Sequence, residues 1–588
     1  MRTPWTMKIT RDVAVPMRDG TILYSDVYRQ DNDGKYPVLL QRTPYNKQDY
    51  RNGQTETDIM GAVLRGYVVV IQDCRGRYTS DGDFNPFHQE INDGYDTVEW
   101  AGVQEWSDGK VGMFGTSYVG ATQWLAAIAK PPSLKCIIPS FTASDYFEGW
   151  TYQGGAFEWG FMCNWVLPYL TAADLVRKNS RTSLDDFAAR EKLMIDAIDN
   201  MDETVRTLPL SDFPIDEELS PYFHEWLLHS ARDEFWKACS VEDRHANVEV
   251  PAYNHGGWYD IFLDGTIRNF TGVRAKGATE AARIGSRLTL GAWTHTNPPS
   301  SSVGSVDFGL TAGQGIAPIG LNVHKEQLAF FDYWLKGIDN GLSSIPPVKI
   351  WVMGADEWRY EHEWPLARTQ YTEYFLHSGG GANSSSGDGW LSIEVPGDER
   401  PDHFLYDPSH PVPTHGGQTC CLPTRLYAGI YDQSEVEKRT DLLVFATLPL
   451  QQDTEVTGPV MLRLWAQTTA VDTDFTGKLV DIFPDGTVRN LTEGIIRARY
   501  RNGTDKEVFL TPGEVVEYAI DLWSTANVFK TGHRIGLEVS SSNFPRFARN
   551  QNTGGVLGQE SDLIPALQTI SHDAEHPSRL ILPIVPAR

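Results

Sequence analysis

The hexapeptide Gly115-Thr116-Ser117-Tyr118-Val119-Gly120 decides the fold of this chain. It follows the apolar run 111–114 and precedes a helix-forming stretch at 121–129. A serine held between small residues at a strand-to-helix turn is typical of a nucleophile elbow, in which the turn exposes Oγ and the helix N-terminus offers backbone N–H groups. The usual pattern is G-x-S-x-G, and Val119 stands where the second glycine is expected. Taken alone, the motif is therefore equally compatible with an ordinary turn.

An acidic residue and a histidine each follow a later predicted strand. Asp260 comes after the strand 248–253 and the segment 254–259, and His295 comes shortly after the strand 287–291. The carboxyl ends of parallel strands meet at one edge of a sheet. The interval between Asp260 and His295 has room for one crossover helix, at about 262–273. The order Ser, Asp, His is that of α/β-hydrolases, so we predict Ser117, Asp260 and His295 as a catalytic triad.

Two other residues compete for these roles. His255 precedes Asp260 and so breaks the chain order, which favours a packed or capping histidine. Asp264 comes four residues after Asp260 and is predicted to lie within the crossover helix. We therefore keep Asp260 and His295 as the predicted pair.

Several motifs together resemble one family. Besides the elbow, they are G-G-W-Y-D ending at Asp260, G-A-W-T-H ending at His295, and the segments 15–20 (V-P-M-R-D-G), 42–45 (R-T-P-Y), 73–76 (D-C-R-G) and 540–545 (S-S-S-N-F-P). This combination resembles the cocaine esterase and Xaa-Pro dipeptidyl-peptidase group of serine hydrolases, and within it the bacterial cocaine-esterase-like branch. The resemblance covers essentially the whole chain.

The oxyanion of an acyl-transfer reaction needs two hydrogen-bond donors. The first is predicted to be the backbone N–H of Tyr118, the residue after the nucleophile. The family resemblance implies that the second is the hydroxyl of Tyr45, in the R-T-P-Y segment. Relatives that act on α-amino acid esters carry further acids just after the catalytic aspartate, whereas Ile-Phe-Leu follows Asp260 here. That difference disfavours a site for a substrate amine, although Glu158 and other acids of the cap remain candidates for one.

The pattern of predicted elements divides the chain into four segments. Strands alternate with helices in residues 1–144 and again in 241–353, which together predict an α/β-hydrolase domain. Residues 145–240 are rich in aromatic residues and helical periodicity, and we predict an inserted helical cap above the active site. Residues 354–588 have many short alternating runs separated by turns, typical of an all-β sandwich. The resemblance implies that this sandwich is a jelly roll packed against the hydrolase domain.

Aromatic residues near the predicted site suggest the kind of substrate. Of the aromatic residues at the start of the cap, we expect some to line an apolar acyl pocket together with Trp258, Tyr259 and Phe262, and others to form the core of the cap: Trp150, Tyr152, Phe157, Trp159, Phe161 and Trp165. We therefore predict a carboxylic ester hydrolase acting on a bulky or aromatic acyl group. The alternatives are an amide-cleaving acylase, an Xaa-Pro dipeptidyl-peptidase or an α-amino acid ester hydrolase with the same triad. A different class remains open if the β-sandwich is a carbohydrate-binding module.

Composition narrows the class of protein further. The chain has 588 residues and a net charge of −26, which disfavours binding to nucleic acid or to an anionic membrane. No stretch is long and apolar enough to span a bilayer, and residues 1–8 do not resemble a secretory leader. The expected partner is a small ester or amide substrate, and the oligomeric state stays open, with a homodimer as one alternative.

No cofactor or metal is predicted. The six cysteines are scattered, so we expect reduced, mostly buried thiols and a cytoplasmic protein. Asp472, Asp474 and Asp481 do not have the spacing of an EF-hand calcium loop, and we interpret them as part of a solvated β-turn.

Overall fold

The first part of the chain builds one half of an α/β domain. The computed structural model describes residues 6–48, 58–178, 183–296, 300–313, 322–421 and 426–586. Its first strands are β1 (Met7–Pro16), β2 (Ile22–Gln30), β3 (Tyr36–Thr43), β4 (Val68–Asp73), β5 (Ser107–Thr116) and β6 (Leu134–Ser140). Helices α1 (Ile59–Leu64), α2 (Glu90–Gly102) and α3 (Tyr118–Ile128) connect them. All six residues of β4 are buried, as expected for a strand covered by helices on both faces.

A mostly helical segment is inserted after β6. It contains the short hairpin β7 (Tyr152–Gln153) and β8 (Ala156–Phe157), then α4 (Trp159–Trp165), a π-helix (Val166–Thr171), α5 (Ala172–Lys178) and α6 (Leu184–Asp199). Helices α7 (Met201–Thr204), α8 (Pro221–Leu228) and α9 (Glu234–Lys237) follow, with 3₁₀ turns at Leu210–Asp212 and Glu242–Asn247. The hydroxyl of Ser183 caps α6 by accepting from the backbone N–H of Asp186. The insert covers the sheet edge at which β5 ends.

The chain then returns to the first sheet. Strands β9 (Tyr253–Tyr259) and β10 (Arg287–Thr294) flank α10 (Leu263–Lys276) and α11 (Glu280–Gly285), and the small hairpin β11 (Ser302–Val303) and β12 (Val306–Asp307) precedes α12 (Val323–Lys336). Strands β13 (Val348–Val352) and β14 (Glu357–Glu361) complete the sheet, and a 3₁₀ turn lies at Leu342–Ser344. The order is β1-β2-β4-β3-β5-β6-β9-β10-β13-β14, parallel from β4 to β13. The carboxyl ends of β5, β9 and β10 therefore lie close together.

The first sheet runs further along the chain than the predicted boundary at 353/354. Strand β14 pairs antiparallel with β13 over the whole of Glu357–Glu361, so the boundary falls inside the turn of this hairpin. The reason is that an alternating edge strand (Glu-Trp-Arg-Tyr-Glu) has the same pattern in either domain.

An all-β domain forms the rest of the chain. Its strands are β15 (Gln370–His377), β16 (Trp390–Ser392), β17 (Asp402–Tyr406), β18 (Leu443–Ala446), β19 (Thr454–Thr468), β20 (Asp474–Ile482), β21 (Val488–Arg497), β22 (Val516–Phe529), β23 (Arg534–Ser540), β24 (Ala566–Ser571) and β25 (Arg579–Val585). Short 3₁₀ turns lie at Val436–Lys438 and Ala498–Tyr500. Apolar side chains of these strands share one buried core with Trp258, Leu290 and Ile350 of the first sheet. The fold class predicted from the sequence, an α/β-hydrolase domain followed by an all-β domain, is confirmed.

A buried arginine joins the cap to the β domain. The guanidinium of Arg546 donates to Glu493 Oε1 at 2.6 Å and to Gln153 Oε1 at 3.0 Å. Glu158 lies 3.6 Å from the same guanidinium, which is an ion pair but too long for a hydrogen bond. Glu158 is 1% exposed, and burial raises the pKa of its carboxyl to about 7.

Replacement of Glu158 by glutamine is expected to change how stability depends on pH. A carboxyl whose pKa is raised by folding stabilises the folded state fully at pH values below its unfolded pKa of 4.5. This contribution to the free energy of unfolding is lost as the pH rises through its folded pKa of about 7. From pH 4.5 to pH 8, the free energy of unfolding of the variant should therefore rise by about 3 kcal/mol relative to that of wild type. This corresponds to about 2 °C in Tm for a chain of this length. Calorimetry at both pH values measures the difference, and a constant difference in Tm would contradict the assignment.

The cysteines differ in part from the prediction. Cys420 and Cys421 form a vicinal disulfide, whereas Cys74, Cys136, Cys163 and Cys239 are free and buried. The prediction of reduced thiols is therefore wrong for the adjacent pair. The spacing of cysteines predicts disulfides that bridge distant segments, and a disulfide between adjacent residues has no such spacing.

The described residues contain no helix with both the length and the apolar character needed to cross a membrane.

Candidate active site

Ser117 lies at the sharp turn between β5 and α3. Its backbone φ of 65° and ψ of −128° are unusual for a residue with a side chain. The amide of Ser117 donates to the carbonyl of Ser140 at 2.9 Å, which ties the turn to β6. Gly115 has a φ of 132°, and a Cβ there would lie 2.3 Å from Val119 Cγ1. Val119, the departure from the usual motif, therefore fills the space that Gly115 leaves.

The three predicted residues form one hydrogen-bonded chain. His295 Nε2 lies 3.0 Å from Ser117 Oγ, and His295 Nδ1 lies 2.8 Å from Asp260 Oδ1. Ser117 is 6% exposed and Asp260 is fully buried. Asp260 Oδ2 has no hydrogen-bond partner among the described residues. Such a chain lets His295 accept the serine proton while Asp260 orients the imidazole.

The two competing residues make other contacts. His255 is fully buried, and its Nδ1 lies 3.1 Å from Ser140 Oγ. Burial lowers the pKa of His255 to about 3, so it stays neutral at physiological pH. Asp264 lies in the first turn of α10 and pairs with Arg268 at 2.6 Å.

Tyr118 begins α3 directly after the nucleophile. The first N–H groups of a helix lack helical acceptors and point out of its N-terminus. The side chain of Tyr118 is held in place, since its hydroxyl accepts from the amide of Phe87 at 3.0 Å and donates to Glu90 Oε1 at 3.1 Å. Glu90 is in turn paired with the buried Arg42. This network fixes the start of the helix that carries the predicted oxyanion donor.

Tyr45 lies on the loop after β3. Its amide donates to Thr43 Oγ1 at 3.1 Å, and the amide of Lys47 donates to Asp73 Oδ1 at 2.7 Å, so both sides of the loop are anchored. The indole N–H of Trp165 donates to the Tyr45 hydroxyl at 2.8 Å. Burial raises the pKa of Tyr45, whereas hydrogen bonds with Trp165 and Ser117 act in the opposite direction. The phenol therefore keeps its proton at neutral pH and lies beside the nucleophile.

Four aromatic rings form a cluster beside the triad. Phe262 lies edge-on to His295, with ring centroids 5.0 Å apart, and stacks on Trp150 at 4.1 Å. Trp165 stacks on Phe161 at 5.3 Å and meets Trp150 edge-on, also at 5.3 Å. All four are among the aromatic residues considered above for the acyl pocket or the core of the cap. The sequence around Phe161 does not distinguish it from its aromatic neighbours.

The other predicted pocket residues contact different parts of the molecule. The indole N–H of Trp159 donates to the carbonyl of Val205 at 2.7 Å, inside the cap. Phe157 packs against Tyr152, with ring centroids 5.1 Å apart. The indole N–H of Trp258 donates to the carbonyl of Trp351 at 2.7 Å, in the core shared with the β domain.

The three aspartates considered for calcium are buried, so their interpretation as a solvated β-turn is wrong, and each pairs with a cationic or imidazole side chain. Asp472 pairs with Arg499 at 2.8 Å, Asp474 with Arg497 at 2.9 Å, and Asp481 with His533 at 2.9 Å. Across the described part of the chain, no group of three or more His, Cys, Asp or Glu residues is arranged to hold a metal ion.

The fold and this site together define a serine hydrolase of the α/β-hydrolase class. Residues 19–297 match the family model of the X-Pro dipeptidyl-peptidase (S15 family). Residues 340–581 match the X-Pro dipeptidyl-peptidase C-terminal non-catalytic domain. The chain belongs to this family.

Individual relatives agree with the family assignment. The chain is 39% identical over 586 residues to a cocaine esterase from Rhodococcus sp. (strain MB1 Bresler), covering 98% of each chain. A crystal structure of an aminopeptidase from the archaeon Thaumarchaeota archaeon superposes with a TM-score of 0.77 at 25% identity, covering 100% of this chain and 98% of the other. An α-amino acid ester hydrolase gives a TM-score of 0.78 at 24% identity, covering 98% and 96%, and shows the shared fold. Hydrolysis of carboxylic esters is the chemistry that this membership and the site support.

Proposed function

We propose that the protein cleaves carboxylic esters with a bulky or aromatic acyl group, through an acyl-enzyme on Ser117. His295 takes the proton of Ser117 as its Oγ attacks the acyl carbon, and returns it to the leaving alcohol. Asp260 accepts from His295 Nδ1 and stabilises the imidazolium. Water activated by His295 then hydrolyses the acyl-enzyme.

The backbone N–H of Tyr118 and the hydroxyl of Tyr45 are the proposed oxyanion donors. The hydrogen bond between Tyr45 and Trp165 and the proximity of Tyr45 to Ser117 support this role. Both donors are in place before the reaction begins, which is what makes oxyanion stabilisation effective.

The observation that carries the substrate proposal is the position of Phe262. Its ring edge meets the imidazole of His295, and its face stacks on Trp150. An acyl group bound to Ser117 would therefore lie beside an apolar, aromatic wall rather than beside charged side chains. Turnover of p-nitrophenyl acetate, butyrate and benzoate tests this, with kcat/KM expected to rise towards benzoate. A steady fall towards benzoate would contradict the proposal.

An amide substrate is the second candidate. Family membership favours it, because the matching family model describes an X-Pro dipeptidyl-peptidase. Glu158 forms an ion pair with Arg546, but neither of its carboxylate oxygens has a hydrogen-bond partner among the described residues, so it stays a candidate for binding a substrate amine. Comparison of p-nitrophenyl benzoate with an Xaa-Pro p-nitroanilide separates the two, and faster cleavage of the anilide would favour the peptidase.

Replacement of Tyr45 by phenylalanine is expected to lower kcat by about 100-fold or more, because one of two oxyanion donors is removed. KM should change little, since the ground-state carbonyl needs this donor less than the oxyanion does. Tyr222→Phe is a matched control, since it removes a buried cap hydroxyl that contacts Ser220 rather than Ser117. Near-normal turnover by the Tyr45 variant would remove Tyr45 from the oxyanion hole.

A cytoplasmic location remains part of the proposal. Four buried free cysteines support it, whereas the disulfide between Cys420 and Cys421 argues against it. Cell fractionation with an antibody to the protein tests it.

A further inference from the structure

The hydroxyl of Tyr45 receives a hydrogen bond from the cap. The indole N–H of Trp165 can only donate, so at 2.8 Å it must occupy a lone pair of the Tyr45 oxygen. A phenol has one hydrogen of its own, and that hydrogen is thereby directed away from the indole. In the proposed oxyanion hole, the hydrogen left free by this contact is the one that Tyr45 donates to the oxyanion.

Trp165 is rigidly held. Its ring is 3% exposed, stacks on Phe161 with an interplanar angle of 9°, and lies parallel to Trp226 at 6.0 Å with an angle of 5°. It is the last residue of α4 and is followed directly by the π-helix Val166–Thr171, an irregularity often found at functional sites. A donor fixed in this way loses little entropy when it orients a neighbouring hydroxyl.

Tyr45 and Trp165 belong to different parts of the molecule, and Arg77 joins them. The buried guanidinium of Arg77 donates to the carbonyl of Pro44 at 3.0 Å and to that of Leu170 at 3.3 Å. It also pairs with Asp174 of α5 at 3.0 Å. The loop that carries Tyr45 is thus fastened to the cap segment that follows Trp165.

We propose that Trp165 is a positioning residue of the oxyanion hole, whose indole N–H directs the Tyr45 hydroxyl hydrogen at the oxyanion formed on attack by Ser117. This inference rests on the proposed function, since it needs Tyr45 as an oxyanion donor. It makes the cap part of the catalytic machinery and not only a wall for the acyl group.

The test is a double-mutant cycle with p-nitrophenyl acetate, whose small acyl group makes few contacts with an aromatic wall. Trp165→Phe should lower kcat about tenfold, as expected for loss of one orienting hydrogen bond, with KM changed less than twofold. In the Tyr45→Phe background, the same replacement should cause no further loss, because no hydroxyl remains to be oriented. Trp236→Phe is the matched control: it removes a buried cap indole that donates to the carbonyl of His229 at 2.7 Å. This control should keep kcat within twofold.

A second variant covers the case in which phenylalanine disturbs the packing of the cap. The tryptophan analogue 3-benzothienylalanine at position 165 keeps the bicyclic ring and its stacking but has sulfur in place of the N–H. It should reproduce the tenfold loss in kcat at an unchanged Tm. An unchanged kcat in this variant would overturn the inference.

Other outcomes separate this inference from the function on which it rests. Losses from Trp165→Phe and Tyr45→Phe that multiply in the double variant would overturn it and assign Trp165 to the acyl pocket alone. Full activity of Tyr45→Phe itself would overturn both the inference and the proposed oxyanion hole. A slow Tyr45→Phe variant beside an unaffected Trp165→Phe variant would overturn the inference and leave the proposed function standing.

Discussion

Replacement of Ser117 by alanine is expected to lower kcat for p-nitrophenyl esters by a factor on the order of 10⁶. The reason is that Ser117 Oγ, 3.0 Å from His295 Nε2, is the atom that bonds to the acyl carbon in the proposed mechanism. Alanine removes only this oxygen, so the variant should keep its circular dichroism spectrum and Tm. A residual rate above uncatalysed hydrolysis is expected from the oxyanion hole.

A second buried serine–histidine pair provides the control. Ser144 Oγ lies 3.3 Å from His245 Nε2, and the same His245 nitrogen lies 3.1 Å from the amide oxygen of Asn269. Ser144→Ala should retain activity within a few-fold. Comparable activity of the Ser117 variant and wild type would mean that another residue is the nucleophile.

Replacement of Asp260 by asparagine is expected to lower kcat by about 10⁴-fold. Asparagine has nearly the same shape, but its NH₂ group can donate to His295 Nδ1 and so favour the tautomer that carries its proton on Nε2. That tautomer cannot accept the proton of Ser117. The buried position of Asp260 and its 2.8 Å contact with His295 make this effect large. Steady-state kinetics with p-nitrophenyl butyrate measures it.

Asp264→Asn is the matched control for Asp260→Asn. Asp264 lies only four residues away, but its contact is with Arg268. This variant should keep kcat within about tenfold, with any loss appearing mainly in Tm. A larger fall in kcat for Asp264→Asn than for Asp260→Asn would contradict the assignment of the acid.

The parts of the fold and site that follow from local patterns could be predicted from the sequence. The turn at Ser117, the strand before Asp260 and the strand before His295 each have their own signal, and parallel pairing brings their carboxyl ends together. The end of α12 is also a local feature, because Gly337 takes a left-handed φ of 67° directly after the last helical residue.

Which aromatic side chains lie beside the triad could not be predicted. Trp159 and Trp165 are both in α4, but a separation of six residues places them on different sides of the helix. Trp165 reaches Tyr45, whereas Trp159 reaches the carbonyl of Val205. Their surroundings depend on segments distant in the chain, and helical periodicity alone does not identify the side that faces the nucleophile.

Contacts between domains could not be predicted from the sequence either. The guanidinium of Arg546 donates a hydrogen bond to Gln153, which is 393 positions away in the chain. Trp258 is adjacent in sequence to the catalytic acid motif and was expected near the substrate, yet its indole contacts Trp351 in the shared core. Proximity along a strand does not decide the face of the sheet on which a side chain lies when both faces are buried.

Covalent labelling identifies the residue that attacks the acyl group. A p-nitrophenyl alkylphosphonate should react with one equivalent of protein, release one equivalent of p-nitrophenol and abolish ester hydrolysis. Peptide mapping by mass spectrometry should find the phosphonyl group on Ser117, and Ser117→Ala should take up no label. Labelling of a different residue with loss of activity, or full activity with Ser117 labelled, would contradict the account.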